Sequence, residues 1–268
     1  MRGRILSRAA HERKPFFVFI AAPARHNRRV IGALLNALGI LLGALLGLVV
    51  CRPWSGRAEH RIKSVLGAFI AFCGLQLVWQ NVSGGFLPGL KQLLLAGLAV
   101  VLGSLLGKIL GLQKISNRLG RQAAALLATG ELPAPRPAAG FLAATVLFCA
   151  APLGILGAAT DGLGGYFLPL ALKAVMDGLA TRSFVRQFRW PVALAAVPVF
   201  LFLNGLALAV QTFALPWLTG HDLLPAVNAA AGLVICATAL VVLEVRRVAL
   251  ANYLPALVVA PLLTWWLA

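Results

Sequence analysis

The chain has 268 residues, of which 60% are hydrophobic and 12% are charged, whereas soluble domains are roughly 45–50% apolar. In a soluble protein a net charge of +17 would suggest nucleic-acid binding, but here Lys and Arg lie almost entirely between apolar runs, without a basic stripe that interleaves aromatic residues. Composition and charge placement therefore exclude a soluble globular domain, argue against a nucleic-acid partner, and indicate a chain that crosses the lipid bilayer several times.

A basic arm comes first in the chain. Residues 1–29 hold eight Lys or Arg against one Glu, and their apolar stretch "PFFVFIAAPA" is too short to span a membrane. Two interpretations stay open. The arm forces a local exception to the topology that the later connections indicate, or the start of the chain has been assigned too early and the true start is Val30. The regular charge alternation of the later connections favours the second interpretation.

Eight apolar segments follow the arm, and uninterrupted apolar runs of about 18 or more residues predict transmembrane helices. The segments cover residues 30–50, 64–80, 87–111, 141–159, 166–185, 191–215, 224–243 and 252–268. The predicted fold class is therefore all-α, a polytopic transmembrane helical bundle of about eight helices.

The connections between these segments alternate in charge. The odd-numbered connections are basic and the even-numbered ones are neutral or acidic. By the positive-inside rule, the odd-numbered connections lie in the cytoplasm.

The third connection contains a stretch, residues 112–130, in which Ile115, Leu119 and Leu126 are spaced near the helical period. This spacing predicts an amphipathic helix on the cytoplasmic surface, and a plain solvated loop is the alternative. A Pro-rich linker, "ELPAPRPAAG", follows it.

Three sequence matches at nearly constant displacement suggest an internal repeat. "LNAL" at 35–38 resembles "LNGL" at 203–206, Gly67 aligns with Gly232, and "FLPGL" at 86–90 resembles "YLPAL" at 253–257. The displacement maps the first segment onto the sixth, and a shift by five helices reverses the direction of the second copy. The predicted organisation is a three-helix repeat at 30–112, an amphipathic helix and linker at 113–140, a central helix pair at 141–190, and an inverted repeat at 191–268.

The fifth segment contains two opposite charges, Lys173 and Asp177, spaced i, i+4 on one helix face. A charge at the centre of a membrane helix costs on the order of 2.5–3.5 kcal/mol, so such residues normally face the bundle interior or a water-filled cavity. One hypothesis is a proton- or ion-coupled site with Asp177 as the carboxylate and Lys173 as its counter-ion or alternate occupant. The other is a structural pair that locks helices together, or a Lys173 that reaches the interface.

Other polar and helix-breaking residues have two interpretations each. Asp161, in "AATDGLGGY", is predicted in an Asp-Gly turn or at an external cation site, and the turn is favoured. The amides of Asn36 and Asn204, at matching repeat positions, bridge helices or coordinate a substrate or ion, and bridging is favoured. Pro88, Gly89 and Pro255 mark ordinary helix starts or broken helices that line a site.

The segments "TVLFCAAPLGILGAATDGLGG", "ALKAVMDG", "ANYLPALVVAPLL" and "SNRLG" resemble a bacterial family of integral membrane proteins, the YqgA/YdfK-type family with domain of unknown function 554. The resemblance runs from about Val30 to the C-terminus. It implies a multi-pass protein of the bacterial inner membrane, without an established biochemical activity to carry over. The Gln-Gly pair that the family usually has in helix six is Asn204-Gly205 here. The matching motif positions are Asn36, Asp161, Gly162, Lys173, Asp177, Gly178, Asn252, Leu254 and Pro255.

The function predicted from the sequence is a small secondary transporter or ion-coupled permease of an unknown substrate, because inverted repeats are typical of such transporters. The alternative is a membrane scaffold or accessory protein without flux of its own. The candidate pathway residues are Lys173, Asp177, Asp161, Asn36, Asn204 and Asn252. The sequence offers no metal-ligand spacing, phosphate loop or dinucleotide fingerprint, so no enzymatic activity, metal site or cofactor is expected. The expected partners are the lipid bilayer and a small solute or ion, and a homo-oligomer stays open.

Overall fold

The computed structural model describes residues 31–50, 55–82, 84–128 and 137–267. The basic arm with its predicted start at Val30, and most of the Pro-rich linker, lie outside the described residues. Within them, the chain forms eleven α-helices and no strand. The helices are α1 (Gly32–Val49), α2 (Gly56–Asn81), α3 (Phe86–Ile109), α4 (Leu112–Ala128), α5 (Pro137–Ala150), α6 (Pro152–Gly164), α7 (Leu168–Phe188), α8 (Ala196–Ala209), α9 (Leu215–Gly220), α10 (Leu224–Val242) and α11 (Ala256–Leu267). Two 3₁₀ helices (Trp190–Ala195 and Leu250–Tyr253) and one π-helical segment (Val210–Ala214) complete them.

These helices form a transmembrane bundle. Six uninterrupted helical stretches among the described residues are long and apolar enough to cross a membrane, and the pair α5–α6 makes a seventh if it is counted as one bent span. α7 has 21 residues and carries four charged side chains spread along its length, whereas the charges of α2 all lie within its first eight residues. With α7 as the eighth, the predicted all-α bundle of about eight helices is confirmed. Large apolar side chains such as Leu42, Phe72 and Phe86 are exposed on its surface, as contact with lipid requires.

Three segments differ from the prediction. α2 begins at Gly56 rather than at residue 64, because Ser55 caps it and accepts a hydrogen bond from the N–H of Ala58 at 3.3 Å. The fourth segment is two helices bent by 56° rather than one. The break falls at Ala151 because the next residue, Pro152, has no N–H with which to continue the hydrogen bonds of α5. The sixth span continues to Gly220 through its π-helical segment.

Close helix pairs built on small residues organise the bundle. α1 and α7 run parallel, since Gly39, Gly43 and Gly47 of α1 lie against successive turns of the α7 backbone. α2 and α10 run antiparallel and meet where Gly74 lies against Gly232. α3 packs antiparallel to the last span. These directions are the ones that eight alternating crossings require.

The two ends of the bundle differ in charge. At the end that we call the basic end, the Lys63 ammonium at the start of α2 pairs with the Glu244 carboxylate after α10, with 3.1 Å between Nζ and Oε1. At the opposite end, Asn228 Nδ2 of α10 donates to Asn81 Oδ1 of α2 at 3.0 Å. α4, the predicted amphipathic helix, lies at the basic end and packs against α5.

Candidate functional site

The site is centred on two charges in the middle of α7. The Lys173 ammonium pairs with Oδ2 of Asp177, and the two residues are only 2% and 7% exposed. Their i, i+4 spacing brings the side chains together on one helix face, as the sequence predicts. A neutralised pair costs far less to bury than either charge alone, so each residue depends on the other to remain inside the bundle.

A buried amide from α1 completes the cluster. Asn36 is fully buried, and its Nδ2 donates a hydrogen bond of 3.1 Å to the same Asp177 oxygen that binds Lys173. Asn36 Oδ1 has no hydrogen-bond partner within the described part of the chain. The Asn36, Lys173 and Asp177 side chains, which we call the charge cluster, therefore retain one unused acceptor.

Glycines bring α1 close enough for this amide to reach. A Cβ added to Gly43 would collide with the backbone of Gly178, and one added to Gly39 would collide with the backbone of Ala174. Small residues four apart let two membrane helices approach at backbone distance. The short Asn36 side chain can therefore contact a carboxylate on the neighbouring helix.

The break between α5 and α6 lies beside the Lys173 side chain. The ammonium is 5.6 Å from the ring centroid of Phe148 on α5, close enough for a cation–π interaction. On α6, a Cβ added to Gly154 would lie 2.7 Å from Lys173 Cε, so the lysine chain packs closely against this glycine. A helix broken within the bilayer presents backbone dipoles to its surroundings, and here these surroundings include a buried charge.

Comparison with known proteins gives the family. A family model described as "Protein of unknown function (DUF554)" matches residues 31–265. The chain belongs to the DUF554 family. It is 31% identical over 245 residues to the uncharacterized protein YqgA of Escherichia coli (strain K12), an alignment that covers 89% of this chain and 98% of the relative. It is 23% identical over 232 residues to the uncharacterized membrane protein YdfK of Bacillus subtilis (strain 168), covering 87% and 94%. No solved structure matches the chain.

In this DUF554 chain, Asp161 lies in a helix rather than in the predicted turn. It occupies the last turn of α6, which is followed by a C-cap, Gly165, with a left-handed φ of 71°. Its Oδ2 accepts a hydrogen bond of 2.8 Å from the N–H of Gly32 in the first turn of α1, whereas its buried Oδ1 has no partner among the described residues. Asp161 thus provides a hydrogen-bond acceptor for the N-terminus of α1, which lies 129 residues away in the chain. The interpretation of Asp161 as a turn residue is wrong.

The other predicted amides of this DUF554 chain do not join the charge cluster. Asn204 is half-buried on α8, and no hydrogen bond of its side chain is found in the described part of the chain. Asn252 is buried in the second 3₁₀ helix, where its Oδ1 accepts a 3.0 Å hydrogen bond from the N–H of Gln113 on α4. The Gln113 side chain in turn accepts, at Oε1, a hydrogen bond of 3.1 Å from the N–H of Ala251. Asn252 therefore anchors the amphipathic helix to the last span.

The predicted helix-break residues are placed differently from one another. Pro88 and Gly89 lie in the first turns of α3 and interrupt nothing, which agrees with an ordinary helix start. Pro255 lies between the second 3₁₀ helix and α11, so it marks a real change of helix type in the last span. The sharpest break, at Ala151, was not among the predicted ones. Its signal, Pro152 inside an apolar run, was present in the sequence.

Two cavities lie toward the basic end of the bundle. The basic cavity, of about 420 Å³, lies between α2, α7 and α10 and includes Lys63, Arg182 and Arg186 in its lining. The apolar cavity, of about 430 Å³, lies between α4 and the break and includes Leu119 and Pro152. Lys173 and Asp177 line neither of these two cavities, so the charge cluster is enclosed by protein in this conformation.

The opposite end of the molecule is closed by side-chain contacts. Tyr166, between α6 and α7, donates a hydrogen bond of 2.6 Å from its hydroxyl to the carbonyl oxygen of Cys73 on α2. Leu163, Leu218, Leu223 and Val227 form a separate apolar cluster. Sequence patterns gave no sign of the Tyr166 contact, which joins residues 93 positions apart. Within the described residues, no group of three or more His, Cys, Asp and Glu side chains is placed to hold a metal ion.

Proposed function

We propose that this DUF554 protein is a small secondary transporter that couples the passage of a solute or ion to binding of a proton or cation at Asp177. The observation that carries the proposal is the position of the charge cluster beside the break between α5 and α6. Transporters of this type often place their binding sites where a membrane helix is interrupted, because the interruption exposes backbone dipoles at the membrane midplane. The proposal assigns the chain no enzymatic activity.

The charge cluster is the coupling element in this proposal. Asp177 holds Lys173 through its charge, so a proton or cation that binds the carboxylate competes directly with the ammonium. Release of Lys173 then leaves a positive charge beside the helix break, which an anionic solute or a conformational change must accommodate. A ligand shifts a conformational equilibrium only through such a difference in binding between the two states.

An inverted repeat is part of the proposal, and helix packing supports it. The predicted repeat partners pack against one another in all three cases, α1 with α8, α2 with α10, and α3 with α11. Gly67 and Gly232 define a displacement of 165, which also relates Ala71 to Cys236 (236 − 71 = 165). Cys236 Sγ lies 3.7 Å from the carbonyl oxygen of Ala71. Contact between equivalent residues is expected where a two-fold axis passes between two copies.

Alternating access would use the seam between the packed pairs α1–α7 and α2–α10. The basic cavity opens this seam at the basic end, and the hydroxyl of Tyr166 closes it at the other. The conformation therefore resembles one that is closed at the opposite end, with the charge cluster enclosed. We place the basic end in the cytoplasm of a bacterium and the protein in its inner membrane, since basic connections favour the cytoplasmic side.

A scaffold or accessory protein without flux is the second candidate. The enclosure of the charge cluster favours it, because a structural ion pair needs no access to water. The two candidates differ in one respect that can be measured, namely whether Asp177 is required for movement of a solute.

Reconstituted vesicles test the proposal. Purified protein in proteoliposomes is screened against pools of small anions, cations and neutral solutes, with and without proton and sodium gradients. We expect gradient-dependent flux of at least one pool, abolished by Asp177→Asn and retained by Asp222→Asn, the same change at an exposed position. Circular dichroism and size-exclusion chromatography confirm that both variants fold. Absence of flux from the wild type under every gradient, or full flux through Asp177→Asn, would favour the scaffold.

A further inference from the structure

The basic cavity has a composition that the proposed transport mechanism does not use. Lys63 of α2 and Arg182 and Arg186 of α7 contribute to a single concave wall. Arg182 is only 8% exposed, so its guanidinium is held within the protein rather than spread in water. Other basic residues at this end, such as Arg118 and Arg121 on α4, satisfy the topology rule without lining either cavity.

The charge within the cavity is predominantly positive. The carboxylate of Glu244 pairs with Lys63 at 3.1 Å, and it is 63% exposed. Among the residues that line the cavity, Lys63, Arg182 and Arg186 are basic and none is acidic, so the wall is predominantly positive. A cationic recess with low-dielectric walls concentrates anions, and arginine guanidinium groups match the geometry of phosphate oxygens.

Apart from Ser183, the remaining residues of the cavity wall are apolar. They include Ile62 and Leu66 of α2, Met176 and Leu179 of α7, and Val242 of α10. A volume of about 420 Å³ is within the usual range for small-molecule sites, roughly 300–1,000 Å³. An inorganic anion would leave these apolar side chains without contacts, whereas an anion with an apolar body would cover them.

The packing of the helices explains why the cavity exists. α2 and α10 are joined at backbone distance by Gly74 and Gly232, and α1 and α7 are joined in the same way by Gly43 and Gly178. The two pairs meet through larger side chains, so space remains between them at the basic end. Basic recesses between membrane helices on the cytoplasmic side bind lipid head groups in other proteins.

We propose that the basic cavity binds a phosphate group that carries an apolar body. Arg182 and Arg186 hold the phosphate, Lys63 adds a third charge, and the apolar wall receives the attached chain. Two sources share this chemistry, an anionic phospholipid from the surrounding leaflet and a soluble alkyl phosphate. The site is independent of the transporter proposal, since a scaffold could hold the same ligand.

Two binding measurements on the intact protein distinguish the sources. In the first, protein in micelles that contain equal amounts of phosphatidylglycerol and phosphatidylcholine is examined by native mass spectrometry for the retained lipid. In the second, hexyl phosphate and inorganic phosphate are titrated against the protein while its thermal unfolding is followed. The variants are Arg186→Gln and Lys63→Gln, with Arg121→Gln on α4 as a control of equal charge change outside the cavity.

We expect binding of one phosphate probe with an apolar chain to weaken by roughly tenfold in Arg186→Gln, and to stay unchanged in Arg121→Gln. Selective retention of phosphatidylglycerol identifies a lipid source, and binding of hexyl phosphate without lipid selectivity identifies a soluble one. Equal losses in Arg186→Gln and Arg121→Gln would overturn the proposal, because they would indicate unspecific attraction to the basic end. Absence of binding by all probes to the wild type would also overturn it.

Discussion

Asn36 on α1 donates a hydrogen bond to the carboxylate of Asp177 on α7, although the two residues are 141 positions apart in the chain. The bond exists because Gly39 and Gly43 let the two helices approach at backbone distance. It links the buried ion pair of α7 to the helix that begins the described chain. Loss of this link should therefore affect both stability and any coupling through Asp177.

Replacement of Asn36 by Ala removes a donor to a buried carboxylate. Hydrogen bonds to charged groups contribute about 1.5–3 kcal/mol, although those between membrane helices average nearer 0.6 kcal/mol. We expect Asn36→Ala to lower the free energy of unfolding by about 1–2 kcal/mol, measured by denaturant titration in mixed micelles. Asn204→Ala serves as the control, since no bond of its side chain is found in the described part, and it should cost less. Equal losses in both variants would contradict the assigned role of Asn36.

The Lys173–Asp177 pair should show strong coupling in a double-mutant cycle. Lys173→Met leaves a buried carboxylate without its cation, and Asp177→Leu leaves a buried ammonium without its anion. Each single change is expected to destabilise the fold by about 3–5 kcal/mol, whereas the double variant should lose much less than the sum. Additive losses in the same unfolding assay would show that the two charges do not depend on each other.

Gly43 should not tolerate even a methyl group. The added Cβ would meet the backbone of Gly178, which cannot move without separating α1 from α7. We expect Gly43→Ala to cost about 1–3 kcal/mol of unfolding free energy. Gly97→Ala on α3 is the matched control, because nothing lies within 4 Å of its added Cβ, and it should be neutral or stabilising. If Gly43→Ala were as stable as Gly97→Ala, the close contact between α1 and α7 would be in doubt.

Two substitutions of Asp161 separate helix capping from cation binding. Asp161→Ala removes the acceptor for the Gly32 N–H and should cost about 0.5–2 kcal/mol, whereas Asp161→Asn keeps an acceptor and should cost less. Unfolding of both variants measures the capping. If Asp161 instead bound a cation at the external side, Asp161→Asn would impair gradient-dependent flux in vesicles while its stability stayed near that of the wild type.

Labelling of single cysteines tests the assignment of the two ends. In a background with all four native cysteines replaced by Ser, Arg246→Cys at the basic end should react with an impermeant maleimide only after the cells are broken. Thr219→Cys at the opposite end should react in intact spheroplasts. The reverse pattern would invert the topology, and labelling of both sites from one side would contradict an odd number of crossings between them.

The general architecture was predictable because it depends on local composition. Long apolar runs gave the number of spans, the basic connections gave their alternation, and the i, i+4 spacing gave the pairing of Lys173 with Asp177. Each of these features is determined within one helix or one connection. Boundaries were less certain where a cap or a proline decides them, as Ser55 does for α2 and Pro152 for the fourth span.

The candidate site was only partly predictable, because the contacts between its residues are not determined within one helix. Six polar residues were proposed as pathway candidates, and the fold brings three of them together in the charge cluster. Asp161 and Asn252 instead satisfy the starts of α1 and α4, while Asn204 lies apart on α8. All six have side chains that suit either role, so residue type alone could not separate ligands from helix-bridging groups.

By itself, the sequence determined that this DUF554 chain is a multi-pass helical membrane protein with an ion pair buried in its fifth span, since hydropathy and helical spacing act locally. Only the tertiary structure decided what surrounds that pair. The amide of Asn36, the break at Ala151 and the ring of Phe148 reach it from other helices, and glycine contacts spread over the chain set how closely those helices approach. Such contacts depend on which helices pack together, and apolar helices in lipid carry little of that information in their composition.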